Sequence, residues 1–172
     1  MRMRTFLLAA ALTLGSAAGA GAAEHRFGLG ELYWRSIHDL GGSGLKSNGV
    51  APYLTYQYVP AGIFKLELDL EYYRKGFGGS TSAAYSPVAW VLIEFGLYGG
   101  VGIGVTFSDS LSSNVSDPFY AARLGYDFQL VPRLHFDVNA NYRANTFKDL
   151  RRGVKSYDTD SITFGAAARV AF

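Results

Sequence analysis

The sequence predicts an all-β chain of eight antiparallel strands closed as an up-and-down barrel. Three observations lead there: a two-residue apolar/polar alternation, a regular succession of turn signals, and connections that alternate long and short. The alternation is cleanest at residues 64–72, where Phe64, Leu66, Leu68, Leu70 and Tyr72 interleave with Lys65, Glu67, Asp69 and Glu71. Successive strand side chains point to opposite faces, so this segment has one apolar face and one charged face. Wound as a helix it would put charge and apolar surface on every side.

Residues 1–23 read as an export signal. Arg2 and Arg4 precede a short apolar core at Phe6–Leu14, and Ala20-Gly21-Ala22 fits a small-x-small cleavage site. Residues 24–172 are then the mature domain. Of 16 Lys+Arg and 14 Asp+Glu in the full chain, Arg2 and Arg4 leave with the signal, so the mature domain carries 14 against 14. A formally neutral domain gives no case for binding nucleic acid. The chain has no cysteine, which excludes disulfides, thiol catalysis and lipid modification at a cysteine. With 12 Tyr, 12 Phe and 21 Gly it is rich in strand formers and turn residues.

The eight runs follow in order. The first, Arg26–Ile37, is poorly patterned: Leu32 and Trp34 oppose Glu31, Tyr33 and Arg35, and Phe27 and Leu29 fit only with a bulge near Gly28 or Gly30. The second, Val50–Val59, sets Pro52, Leu54, Tyr56 and Tyr58 against Tyr53, Thr55 and Gln57. Pro60-Ala61-Gly62 turns into the third run, 63–75. The fourth, Ala84–Phe95, is apolar on both faces, and Pro87 marks an irregularity in it. The fifth, Leu97–Phe107, alternates Val101, Ile103, Val105 and Phe107 with Gly100, Gly102, Gly104 and Thr106. The sixth, Phe119–Leu130, opposes Tyr120, Leu124, Tyr126, Phe128 and Leu130 to Arg123, Asp127 and Gln129. After Val131-Pro132-Arg133, the seventh, Leu134–Asn145, opposes Leu134, Phe136, Val138, Ala140 and Tyr142 to His135, Asp137, Asn139, Asn141 and Arg143. The eighth, Ser161–Phe172, opposes Ile162, Phe164, Ala166, Ala168, Val170 and Phe172 to Thr163, Gly165, Ala167 and Arg169.

Four long polar loops thus fall at one end and three tight turns at the other, the asymmetry of transmembrane barrels in bacterial outer membranes. Mixed-sign polar faces suit a narrow lumen. Aromatic residues gather near strand ends on the apolar faces, where interfacial girdles belong. The last run, SITFGAAARVAF, resembles the C-terminal signal read by the barrel assembly machinery. With LHFDVNANYR it resembles the closing hairpin of the small OmpA/OmpX/OmpW-like barrels. That resemblance, in layout rather than motif, implies a monomeric barrel in the bacterial outer membrane, in contact with membrane lipid.

An eight-stranded lumen is just wide enough for side chains to fill it. Lys65, Glu67, Asp69, Glu71, Arg123, Asp127, His135, Asp137, Arg143 and Arg169 are therefore expected to form a polar lumen network, paired because buried charges must be. Arg123, Arg143 and Arg169 are the expected partners of the acidic row on the third strand. The inward Gly100, Gly102 and Gly104 leave room that either long arginines or a small cavity must take up. The loop FKDLRRGVKSYD carries Lys148, Arg151, Arg152 and Lys155, a basic patch suited to lipopolysaccharide phosphates or simply to solvent. The expected role is non-enzymatic: structural, surface-interacting or small-solute. Catalytic residues, a cofactor and a metal site are not expected. A lipid A-modifying enzyme of the PagL or PagP type is the alternative function, but His135 is followed by Asp137 where the former type has His-x-Ser, and Ser36, His38 and Asp39 stand in the reverse order. A soluble, secreted barrel with an oily lumen is the alternative location.

Overall fold

In a computed structural model of the chain, the described residues are 23–36, 48–61, 63–75, 77, 82–109, 115–116, 118–145 and 161–172. They form β1 (Glu24–Ser36), β2 (Asn48–Ala61), β3 (Phe64–Tyr73), β4 (Ala84–Phe95), β5 (Leu97–Gly104), β6 (Phe107–Ser108), β7 (Phe119–Val131), β8 (Leu134–Asn145) and β9 (Ser161–Ala171). All pairings are antiparallel between chain neighbours, and the β1–β9 ladder closes the ring. Strands β5 and β6 are one stave. Both pair with β4 in a single register, Val88 with Gly104 and Tyr85 with Phe107. The break between them lies opposite Pro87, which accepts a hydrogen bond from the Val105 N–H at 3.3 Å but has no N–H to return. The barrel therefore has eight staves.

Paired positions fix its shape. Starting at Arg26 and stepping from partner to partner leads through Gln57, Glu67, Trp90, Gly102, Ala121, Arg143 and Ser161 back to β1 at Ser36. The return is ten residues further along the strand (36 minus 26). Ten residues of stagger over eight staves tilts the strands by about 40° from the barrel axis. The three tight connections lie at one end, where Gly96 and Arg133 adopt φ of 88° and 70°. The strand termini meet them there: Ala171 N–H donates to the Arg133 carbonyl at 2.7 Å and Phe172 N–H to that of His25 at 2.9 Å.

The apolar faces point outward. Leu29 (64% exposed), Leu68 (56%), Val101 (66%) and Leu124 (60%) form a continuous band. Aromatic residues border it at both ends: His25 lies 5.0 Å from Tyr58 and 6.0 Å from Phe172 by ring centroid at the turn end, and Tyr72 packs at a tilt against Tyr85 at 5.1 Å at the other. An apolar exterior around a charged interior is the inverse of a soluble barrel and suits a bilayer.

Two expectations need correction. Strand β1 has no bulge: its pairing with β2 runs without a shift from Glu24 to Arg35. Phe27, Leu29, Glu31, Tyr33 and Arg35 all point outward, and Leu32 and Trp34 point inward with Arg26. The pattern was obscured because the upper half of the lumen is apolar, so β1 carries apolar residues on both faces there. Strand β4 is apolar on both faces along its length, with Val88, Trp90 and Leu92 buried and Tyr85, Val91 and Ile93 exposed, but the irregularity expected at Pro87 is not in it: its pairing with β3 runs through Pro87 without a shift.

The chain has no cysteine, so single labels are straightforward. Spin labels at Leu54→Cys and Thr55→Cys in vesicles are expected to differ sharply. The first collides with oxygen dissolved in lipid and the second does not; equal accessibility would contradict this orientation.

Candidate functional site

The lumen is the place where chemistry-bearing side chains converge, because every second residue of eight staves points into it. Five cations (Arg26, Lys65, Arg123, Arg143, Arg169) and five anions (Glu67, Asp69, Glu71, Asp127, Asp137) have buried side chains there. Their charges cancel.

Glu67 lies at the centre, 1% exposed. Its Oε1 accepts hydrogen bonds from Arg123 Nη1 at 2.5 Å and Arg169 Nη2 at 3.0 Å, and its Oε2 accepts one from Gln57 Nε2 at 2.7 Å. Arg123 also donates to Asp69 at 2.8 Å and, through Nε, to Asn141 at 2.5 Å. Its guanidinium carbon lies over the Trp90 ring, 3.9 Å from the centroid, and the Trp90 indole N–H donates to Asp69 at 3.0 Å. Arg169 Nη1 is 3.5 Å from Asp137, which accepts hydrogen bonds from the Tyr98 hydroxyl at 2.6 Å and Asn139 at 2.5 Å.

Toward the turn end, Asp127 holds Lys65 at 2.7 Å and Arg26 at 2.6 Å. Lys65 also reaches Glu94 at 2.8 Å, and His135 lies 3.5 Å from both Glu24 and Asp127. Toward the loop end, Arg143 pairs with Glu71, donates to the Tyr73 hydroxyl at 3.1 Å, and stacks on Phe119 at 3.9 Å. Around it Trp34, Tyr73 and Phe77 pack edge-on and face-on at 4.9 and 3.8 Å. The lumen thus has two storeys, an ionic one below and an aromatic one above.

Of the three inward glycines of β5, Gly102 and Gly104 are filled by rings from neighbouring strands and Gly100 by Leu92. A Cβ at Gly102 would stand 2.5 Å from the Trp90 ring, and one at Gly104 would stand 2.4 Å from Phe119. The arginines then stack on these rings. Sequence reasoning missed Arg26, Gln57, Trp90, Tyr98, Asn139 and Asn141 as members of the network. Gln57, Asn139 and Asn141 were legible as inward by parity; Arg26 and Trp90 lay in the two strands whose pattern was ambiguous.

Solved structures that superpose on this chain include small outer-membrane barrels. Neisserial surface protein A matches with a TM-score of 0.59 and 18% identity over 90% of this chain and 99% of that one. The outer-membrane protein OprG from Pseudomonas aeruginosa matches with a TM-score of 0.53 and 12% identity over 90% of this chain and 96% of that one. These likenesses are in fold. No family model matches the sequence, and no curated protein matches it.

Among the described residues no group of three or more His, Cys, Asp or Glu side chains is arranged to hold a metal ion. Of the histidines described, His25 hydrogen-bonds the Tyr56 hydroxyl at 2.7 Å on the outer face and His135 lies in the lower mouth. His38, Asp39, Lys148, Arg151, Arg152 and Lys155 fall outside the described residues.

The close fit of rings over glycines sets a stability prediction. Gly125 carries the Tyr98 ring, with a Cβ there only 2.4 Å from its hydroxyl, while a Cβ at Gly99 meets nothing nearer than 3.7 Å. Gly125→Val should lower unfolding stability in urea by about 1–3 kcal/mol, as overpacking does. Gly99→Val should be nearly neutral.

Proposed function

We propose that this chain is a non-enzymatic barrel of the Gram-negative outer membrane whose lumen is a self-neutralised ionic plug, so that it acts through its surface and its structure and is not an open pore. The observation that carries this reading is the pairing of five buried cations with five buried anions: Glu67, Asp69 and Asp137 hold Arg123 and Arg169, Asp127 holds Arg26 and Lys65, and Glu71 holds Arg143. A conducting lumen keeps its charges in water. Here Arg169 is 0% exposed and Glu67 is 1% exposed, and the rings of Trp90, Tyr98 and Phe119 occupy the remaining width. With no open lumen, interactions with the surroundings fall to the outer wall and to the four long connections.

The connection between β8 and β9 carries Lys148, Arg151, Arg152 and Lys155. In an outer leaflet built on phosphorylated lipid, such a basic stretch meets lipopolysaccharide phosphates through charge-assisted hydrogen bonds. The likeness of the fold to outer-membrane barrels supports this location, and so does the apolar band between two aromatic borders.

Planar-bilayer recording tests the plug. The wild-type barrel, inserted and folded, should show no discrete conductance steps. Regular single-channel steps in the wild type would contradict the reading. Lipid A examined by mass spectrometry with and without expression should keep its mass; a change would replace this reading with the enzymatic one.

A further inference from the structure

Glu31 stands apart from every other charge on the barrel. It faces outward from β1, exposed, between Leu29 and Tyr33 on the same face. Its cross-strand neighbours are Pro52 on β2 and Ala166 on β9, with Leu54 and Ala168 in the row below and Val50 and Phe164 in the row above. None of these side chains offers a hydrogen bond.

Its depth follows from the register. At about 3.3 Å per residue and a tilt of about 40°, Glu31 lies roughly 18 Å above Glu24, within an apolar band about 25 Å tall. Tyr33, in the upper aromatic border, is roughly 5 Å higher. Arg35 is four residues up the strand, about 13 Å away along it and beyond reach. Among the described outward side chains between the two aromatic borders, Glu31 is the only acid or base. An ionisable side chain in lipid without a partner is costly and marks an interaction.

From this we propose that the β9–β1–β2 face is a contact surface between two copies of this chain, joined at Glu31 by a hydrogen-bonded carboxyl pair. This rests on the membrane reading above. Two barrels inserted the same way up and related by a two-fold axis along the bilayer normal bring the same residue to the same depth. No other partner is guaranteed to do so. One carboxylic O–H then donates to the carboxylate oxygen of its twin, the shared proton being taken from solvent, so a single residue type supplies both donor and acceptor. Tilted walls face to face cross at about 80° and touch near one point, so the residue at that point decides the contact. Pro52 and Ala166 are short enough for the walls to approach there, as small residues permit at membrane interfaces. The inferred dimer departs from the monomer expected from the sequence.

Cross-linking in phosphatidylcholine vesicles tests it. Purified Ala166→Cys, treated with a flexible bis-maleimide, should give a dimer that persists when lipid is added in excess. Val101→Cys, on the far side of the barrel, should give one that falls in proportion to dilution. Adding Glu31→Leu should cut the Ala166→Cys dimer by about fivefold, the scale of one hydrogen bond within a membrane. Glu31→Gln, whose amide also donates and accepts, should retain it. Equal cross-linking at both positions, or a dimer indifferent to Glu31→Leu, would overturn the proposal. Heat-modifiable migration of the same samples separates the two claims. A folded, inserted barrel that stays single overturns the dimer alone, and a protein that remains in the aqueous phase overturns the membrane reading with it.

Discussion

The Glu67 carboxylate is the interaction on which the rest of the barrel depends. It accepts hydrogen bonds from arginines on β7 and β9 and from Gln57 on β2, so one side chain of β3 ties three other staves together across the lumen. A buried carboxylate is tolerated only when fully partnered, and removing a partner from such a pair typically costs about 3–5 kcal/mol. The two arginines need it in turn. Arg169 is fully enclosed, with Asp137 its second acidic neighbour, and Arg123 spans Glu67 and Asp69. The stagger of ten residues puts these groups at one height: without it the basic residues of β7 and β9 would miss the acidic row of β3.

Around this centre the lumen is sorted by chemistry. Below, short-range ion pairs on Asp127 gather Arg26 and Lys65 near the turn end. Above, Trp34, Tyr73, Phe77 and Phe119 make an aromatic storey in which Arg143 is the one buried cation described, held by Glu71 and by ring faces. Glycines make both storeys possible. Gly102 and Gly125 vacate the wall so that Trp90 and Tyr98 lie across it, and those rings carry Arg123 and orient Asp137. An arginine on an indole face gains stacking as well as charge pairing, which a lysine at the same place would not.

Much of this was legible in the sequence, and what was not has a physical cause. The third, sixth, seventh and eighth runs separate lipid from lumen cleanly because their inward faces meet the ionic storey, and a charge between two apolar residues is an unmistakable signal. Strands β1 and β4 were ambiguous because Leu32, Trp34, Val88 and Leu92 are apolar residues that face the lumen while apolar neighbours face lipid. Periodicity cannot rank two apolar faces. Pro87 was read as an irregularity in its own strand, but β4 runs through it unbroken and the effect appears one strand away, as the gap between β5 and β6. The inward glycines pointed to space, but which side chain occupies it is set by cross-strand register: Trp90 faces Gly102 and Leu92 faces Gly100. Composition does not contain that register.

The claim that Glu67 and its arginines act as one unit is tested most directly by a double-mutant cycle on urea unfolding in vesicles. Glu67→Gln, Arg169→Met and the pair together form the cycle. If the residues are coupled through the enclosed ion pair, the double variant should be little worse than the more damaging single one, with a coupling energy of about 1.5–3 kcal/mol. Additive losses, with coupling below about 0.5 kcal/mol, would mean that the pair is incidental to the fold and that the lumen is held together some other way.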